Sequence, residues 1–162
     1  MAGAKKQSQD DDEILSICRN KRALHEYEIF DTLECGIVLT GTEVKSLRER
    51  AASLEEAYAK IEGRELWLIG SDIPEYTMGN RLNHKPKRPR KLLLHRREID
   101  KFAGKASQQG YTLIPLRLYF KKGRAKIEIA VARGKKMYDK RESQKKAAAA
   151  KEIRKAMKDR RR

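Results

Sequence analysis

The chain of 162 residues carries 39 Lys and Arg against 23 Asp and Glu, a formal net charge of +16, and is 39% hydrophobic and 38% charged. Such a length fits one ordinary domain with tails, and an apolar share below the usual value of about 45–50% places part of the chain outside any core. Two cysteines without paired spacing and the lack of an apolar run of about 18 residues exclude a disulfide framework, a cysteine zinc site and a membrane span.

Residues 1–13 are polar, hold the acidic run Asp10-Asp11-Asp12-Glu13, and have the composition of a disordered arm. They lack the apolar stretch of a secretory signal, so the cytoplasm is the expected location, with Cys18 and Cys35 reduced and structural. The folded part is expected over 14–134. From His25 to Leu39, the residues Tyr27, Ile29, Phe30, Leu33, Ile37, Val38 and Leu39 predict one long bent strand with Gly36 as its bulge or bend. A short helix follows, with Thr42 as N-cap and Val44, Leu47 and Ala51 on one face. Between Ala57 and Ile69, two short runs around Glu62-Gly63-Arg64 predict a hairpin. The stretch Asp72 to Pro89, with three prolines and a Gly79-Asn80 turn signal, predicts a long projecting loop.

Ile99, Phe102, Ala103 and Ala106 repeat at helical spacing. After them, Leu116–Phe120 and Ile127–Val131 alternate apolar side chains on either side of Lys121-Lys122-Gly123-Arg124, the pattern of a hairpin with one buried face. Four to seven strands with short helices give a mainly β fold, a small antiparallel OB-like barrel. From Lys135 to the end, the chain has no Gly or Pro and is rich in Ala, Lys, Arg, Glu and Gln. The apolar stripe of Ala149, Ile153, Ala156 and Met157 is too thin to dock a helix firmly. Residues 135–162 are therefore expected to be a basic tail, disordered when free and helical when bound.

The charge is concentrated. Arg81–Lys101 holds 9 Lys/Arg against 2 acids and Arg133–Arg162 holds 14 against 4, which leaves the rest of the chain close to neutral. Clustering of this kind is the footprint of a polyanionic partner. A solvated charged surface is the bland alternative, and an anionic membrane is disfavoured because no basic amphipathic helix carries a Trp/Phe/Leu face. Within Arg81–Lys91, prolines hold the backbone extended while cations and hydrogen-bonding side chains alternate, a mixture that suits the irregular phosphates and bases of folded RNA. His25, His84 and His95 show no metal-ligand spacing, and no Gly-rich phosphate loop or nucleophile elbow is present, so neither a metal, a cofactor nor catalysis is expected. Composition alone leaves open a structural ribosomal protein and an RNA-processing nuclease.

Four stretches go further: Asn20-Lys21-Arg22-Ala23, Glu34 through Arg48, Arg88-Pro89-Arg90-Lys91-Leu92-Leu93-Leu94-His95, and Gly134-Lys135-Lys136-Met137-Tyr138-Asp139-Lys140-Arg141. In order and spacing, over about residues 18–141, they resemble the bacterial SsrA-binding (small protein B) family. The resemblance implies an OB-fold core that binds the tRNA-like domain of transfer-messenger RNA, and a tail that enters the empty mRNA channel and decoding centre of a stalled ribosome, against small-subunit rRNA. That process is trans-translation. It also implies better alanine charging of the RNA by alanyl-tRNA synthetase, an indirect link to elongation factor Tu through the charged RNA, and a monomeric protein.

Carried over by motif position, the RNA-facing set is Asn20, Lys21, Arg22, Glu34, Thr42, Glu43, Lys45, Arg90, Lys91, Leu93, His95 and Lys126, joined by Arg88 of the basic segment. The ribosome-facing tail set is Lys135, Lys136, Tyr138, Asp139, Lys140 and Arg141. Glu34 has two readings, an acceptor for the edge of an unpaired guanine or a strand-surface acid paired with a nearby Lys. Leu93 fits core and contact equally well. Many family members have His where this chain has Tyr138, which keeps a stacking face and loses a protonatable nitrogen.

Overall fold

The computed structural model describes residues 14–108 and 110–159, with the side chains of Met137, Tyr138 and Asp159 left aside. The expected N-terminal arm lies outside the described residues. Seven strands and four helices follow in the order β1 (Ile14–Arg19), α1 (Lys21–Glu26), β2 (Tyr27–Ile37), α2 (Gly41–Arg48), β3 (Tyr58–Glu62), β4 (Glu65–Ile69), β5 (Arg90–Leu93), α3 (Arg96–Ala106), β6 (Tyr111–Lys121), β7 (Arg124–Gly134) and α4 (Met137–Asp159).

All strand pairings are antiparallel. The order β6-β3-β4-β5-β2-β7 returns to β6, which closes six strands into a ring, and β1 extends β6 outside it. Closure removes the open edges that a flat sheet would expose. The β6–β7 hairpin is the spine: Lys121 faces Arg124 across Lys122 and Gly123, whose φ values of 52° and 72° give the twisted two-residue turn that suits antiparallel strands.

Inside the ring, Cys35, Leu66, Leu68, Leu92, Leu113, Leu118, Ile127, Ile129 and Val131 form the core, with Leu47 and Leu54 from α2 and the segment after it, and Phe102 from α3. A second, smaller cluster lies outside the wall, where Ala23 of α1 covers Ile114 and Ala132. Burial pushes the Cys35 thiol up to about 12 and the Cys18 thiol up to about 11, so both stay protonated near neutral pH and behave as small apolar groups.

Two expectations are corrected. The β2 register shift falls between Ile29 and Asp31, not at Gly36, which pairs on both sides, with Leu93 and with Lys126. The N-cap of α2 is Thr40, not Thr42, because Glu43 then stands three positions into the helix and its carboxylate accepts from the Thr40 N–H at 2.9 Å. The helix α4 spans most of the expected tail and leaves Ile153 57% and Met157 65% exposed, so its stripe packs on nothing.

Candidate nucleic-acid interface

Alternation along the strands sorts the expected contact residues into walls. Cys35, Leu92 and Ile127 point into the core, so their neighbours Glu34, Gly36, Lys91, Leu93 and Lys126 face outward. The registers then align Leu93, Gly36, Lys126 and Tyr119 in one row across β5, β2, β7 and β6. Beside it runs a second row, Glu34, Glu128 and Arg117. Gly36 is what opens this surface: a Cβ there would come 3.2 Å from the Leu93 Cβ, and without one the half-exposed Leu93 side chain lies across the strand. The result is an apolar shelf with the Lys126 ammonium beside it, Lys91 on the next outward position of β5, and Lys121 beyond Tyr119.

Glu34 pairs with a nearby Lys, as one of its two sequence readings has it, and also takes a tyrosine hydroxyl that neither reading included. Its Oε2 accepts the Tyr119 hydroxyl and lies 3.5 Å from Lys121 Nζ. The Tyr119 hydrogen bond holds the carboxyl below its usual range against the pull of partial burial, and Lys121 and Lys126 add to this. Burial and the same carboxylate push the Tyr119 phenol far up. Glu34 is thus a fixed anion near neutrality, and among the described residues Oε1 has no hydrogen-bond partner, which leaves one acceptor facing solvent. The Arg117 guanidinium covers the Tyr119 ring at 4.9 Å from its centroid and pairs with Glu128.

Next to the shelf, one buried carboxylate organises the basic segment. Glu43 Oε1 accepts from Arg88 Nε at 2.7 Å and Arg90 Nε at 2.9 Å, and Oε2 accepts from Arg88 Nη2 at 2.6 Å. Glu43 and Arg90 are both 0% exposed. The remaining Arg90 donors go to Ser71 O and Oγ, Arg88 O and Pro86 O. A buried ion pair of this kind stands only with such full satisfaction. Placed in the interior, Glu43 and Arg90 have no face left for RNA, while Arg88 keeps 28% of its side chain exposed.

The loop before β5 is therefore pinned, not trailing. His84, 6% exposed, accepts from or donates to Thr42 Oγ1 at 2.9 Å through Nδ1, and its Nε2 lies 2.8 Å from Ile73 O. A carbonyl can only accept, so Nε2 carries the hydrogen and donates to Ile73 O. Lys45 sits over the Tyr76 ring at 5.5 Å. His84 was not among the expected contact residues. Its tie to Thr42 spans 42 positions of the chain, and no local pattern announces it.

Asn20, Lys21 and Arg22 follow Arg19, which pairs with Arg117, so the chain reaches them beside the middle of β6, where the Asn20 N–H donates to Leu116 O at 2.7 Å. Asn20 is 2% exposed: its Nδ2 donates to Leu54 O and Pro115 O, and its Oδ1 accepts from the Ala23 N–H as the cap of α1. It positions Lys21 and Arg22, which are exposed, with Arg22 paired to Glu26 at 2.9 Å. His95 is exposed as the N-cap of α3. In the tail set, Lys135 Nζ donates to Leu24 O and Ser143 Oγ, which ties the base of α4 to α1, and Asp139 and Arg141 are exposed in its first turns. The Tyr138 side chain lies outside what is described.

Among the described residues, no three His, Cys, Asp or Glu side chains converge to hold a metal ion, and no helix is long and apolar enough to cross a membrane. What the outer wall offers is an apolar shelf, fixed cations and one oriented carboxylate acceptor, a set suited to unstacked bases and phosphates.

A family model described as SmpB protein matches residues 17–159. The SsrA-binding protein of Thermobifida fusca is 56% identical over 146 residues, covering 90% of this chain and 91% of the relative. That of Desulforudis audaxviator is 53% identical over 141 residues, covering 87% and 92%. A solved structure described as "tmRNA-SmpB: a journey to the center of the bacterial ribosome" is 46% identical with a TM-score of 0.64, and the match covers 74% of this chain and 85% of that one.

Proposed function

This chain belongs to the SmpB family of SsrA-binding proteins, and from that premise we propose that it is a non-catalytic RNA-binding protein of trans-translation. In this reading the barrel grips the tRNA-like domain of transfer-messenger RNA on the Leu93–Gly36–Lys126 shelf and brings it to stalled ribosomes. Glu34 accepts from the edge of an unpaired base, Leu93 lies under it, and Lys91, Lys126, Lys21 and Arg22 meet phosphates. Thr42, Glu43, Arg88 and Arg90 hold the neighbouring loop in place for the same RNA, and exposed Lys45 and His95 flank it.

The tail, from Lys135 and Lys136 through Tyr138, Asp139, Lys140 and Arg141 and along α4, enters the empty mRNA channel and decoding centre. Free of the ribosome it is largely disordered, because a lone helix without a packed face is marginal in water. Alanyl-tRNA synthetase and elongation factor Tu are indirect partners through the charged RNA, and the protein acts as a cytoplasmic monomer. The observation that carries the reading is the pair of adjacent outward rows that bring Leu93, Lys126 and the Glu34 acceptor together across β5, β2 and β7.

A gel shift against the tRNA-like domain, with ordinary tRNA as competitor, tests it. Lys126→Ala is expected to weaken binding and reduce the slope of log affinity against log salt by about 1, the contribution of one phosphate contact. RNA incubated with the protein and Mg²⁺ is expected to stay intact. Binding that does not respond to salt between 50 and 200 mM, where about 10³–10⁵ in affinity is expected for 6–10 phosphates, would sink the proposal.

A further inference from the structure

The most exposed large apolar side chains among the described residues are not on the shelf. They are Leu82, 93% exposed, and Met78, 81% exposed, at the tip of the loop between β4 and β5. This tip consists of two consecutive turns, closed by the Gly79 N–H donating to Tyr76 O at 2.8 Å and the Asn83 N–H donating to Asn80 O at 3.2 Å. Met78 and Leu82 occupy the same third position in each turn.

The tip is held rigidly. Asn83 Nδ2 donates to Tyr76 O at 2.8 Å and Gly79 O at 3.5 Å, while its Oδ1 accepts from the Tyr76 N–H at 3.2 Å and the His84 N–H at 3.1 Å. Gly79 is required by this staple, since a Cβ there would lie 2.6 Å from Asn83 Nδ2. Below it, His84 ties the loop to Thr42, and Tyr76 sits under Lys45. Holding a Met and a Leu in water gains nothing by itself, because the hydrophobic effect rewards burial alone.

Charge selects the occupant. Residues 76–97 contain no acid, and exposed Arg81, Lys85 and Lys87 lie in the tip or within five residues after Leu82, with Lys87 paired to Glu56 at 3.4 Å. An apolar summit on a stretch whose charges are all positive fits a polyanion with exposed apolar faces, which is an RNA whose bases are unstacked. The loop runs directly into β5 through Arg88 and Arg90, and β5 supplies Lys91 and Leu93 to the shelf. The same RNA can therefore meet both.

Resting on the RNA-binding reading above, we infer that the 76–83 tip is a second contact site of the barrel, which inserts Met78 and Leu82 against an unstacked base or loop of the RNA on the shelf. Apolar insertion and phosphate pairing separate cleanly in experiment. The double variant Met78→Ser/Leu82→Ser is expected to bind the isolated tRNA-like domain about tenfold more weakly at every salt concentration, with the salt slope unchanged, because no charge is lost. The double variant Arg81→Ala/Lys85→Ala is expected to lower the slope by about 2. The exchange Met78→Leu/Leu82→Met, which keeps apolar volume, is expected to bind like the wild type.

Wild-type affinity in the serine variant, with the wild type itself binding, overturns the inference and leaves the shelf untouched. The same holds if the serine variant binds the RNA normally but fails in ribosome tagging, which would turn the tip toward the ribosome. No binding by the wild type would overturn both readings.

Discussion

Arg88 and Arg90 give their guanidinium groups to one buried carboxylate, whereas the described cations of α4 lie along a helix whose side chains are almost all exposed, with Lys146 paired to Glu142 at 2.8 Å. In the sequence the two basic segments look alike. In the fold, the first uses much of its charge to build a loop and a strand, since Lys91 also pairs with Glu65, and the second leaves most of its described cations exposed. Counted charge is therefore not available charge. The shelf presents a few oriented groups, and the tail many loosely held ones.

The strongest way to break this contrast is to remove the tail. Truncation before Asp139 is expected to leave affinity for the tRNA-like domain nearly unchanged and to abolish tagging on stalled ribosomes, measured as incorporation of the tag in a reconstituted translation reaction. Equal loss of both activities would mean that barrel and tail do not divide the work as argued.

Next in size is the barrel's own buried charge. Glu43→Gln leaves Arg90 without its counter-ion in a dry site and is expected to cost about 3–5 kcal/mol of stability, read from urea midpoints. Burial pushes the Glu43 carboxyl up, but the hydrogen bond from Arg88, the Thr40 N–H and the Arg90 charge outweigh it and leave it below the ordinary 4.5. A lowered folded-state value means that this contribution is fully present above about pH 4.5 and is lost as pH falls through the folded value. The stability gap between wild type and Glu43→Gln is expected to be constant above that pH and to narrow below it. A gap that does not change with pH would show that Glu43 is not the anion described.

How much of this was legible followed the range of the interactions. The β3–β4 and β6–β7 hairpins and α3 were readable, because period-2 alternation, turn glycines and helical spacing are local signals. The strand β1 was not, since it pairs with residues 117–121, about a hundred positions away, and six residues beside an acidic run carry little pattern. Nor was β5: its four residues alternate correctly, but the first inward position is Arg90, a charge that only Glu43, 47 positions upstream, makes tolerable. Motif position put Glu43 and Arg90 among the expected contacts, and their pairing with each other, which no local pattern shows, places both in the interior. By contrast, the cap at Thr40 was available in the sequence, as Thr40-Gly41-Thr42-Glu43 has the capping-box spacing. Gly36 drew attention for a bend when its purpose is the close approach of Leu93.

The smallest expected effect sharpens the contrast most. Glu142 and Lys146 form an i,i+4 pair on α4 with half or more of each side chain in water, and the Lys146 hydrogen bond holds the Glu142 carboxyl below its usual range. Such pairs are screened by salt and stabilise at most the helix that carries them. Among the described residues, Lys135 ties the base of α4 to Leu24, and Glu28 of β2 lines an open cavity with Asp139, Glu142 and Lys146, but no hydrogen bond or ion pair joins Glu142 or Lys146 to the barrel. Glu142→Gln is expected to leave the urea midpoint of the protein unchanged and, by removing one of the few acids of the tail, to strengthen binding to vacant small ribosomal subunits slightly. A lowered urea midpoint would mean that the shaft of α4 is packed on the barrel after all, and that the tail is a structural element of the fold.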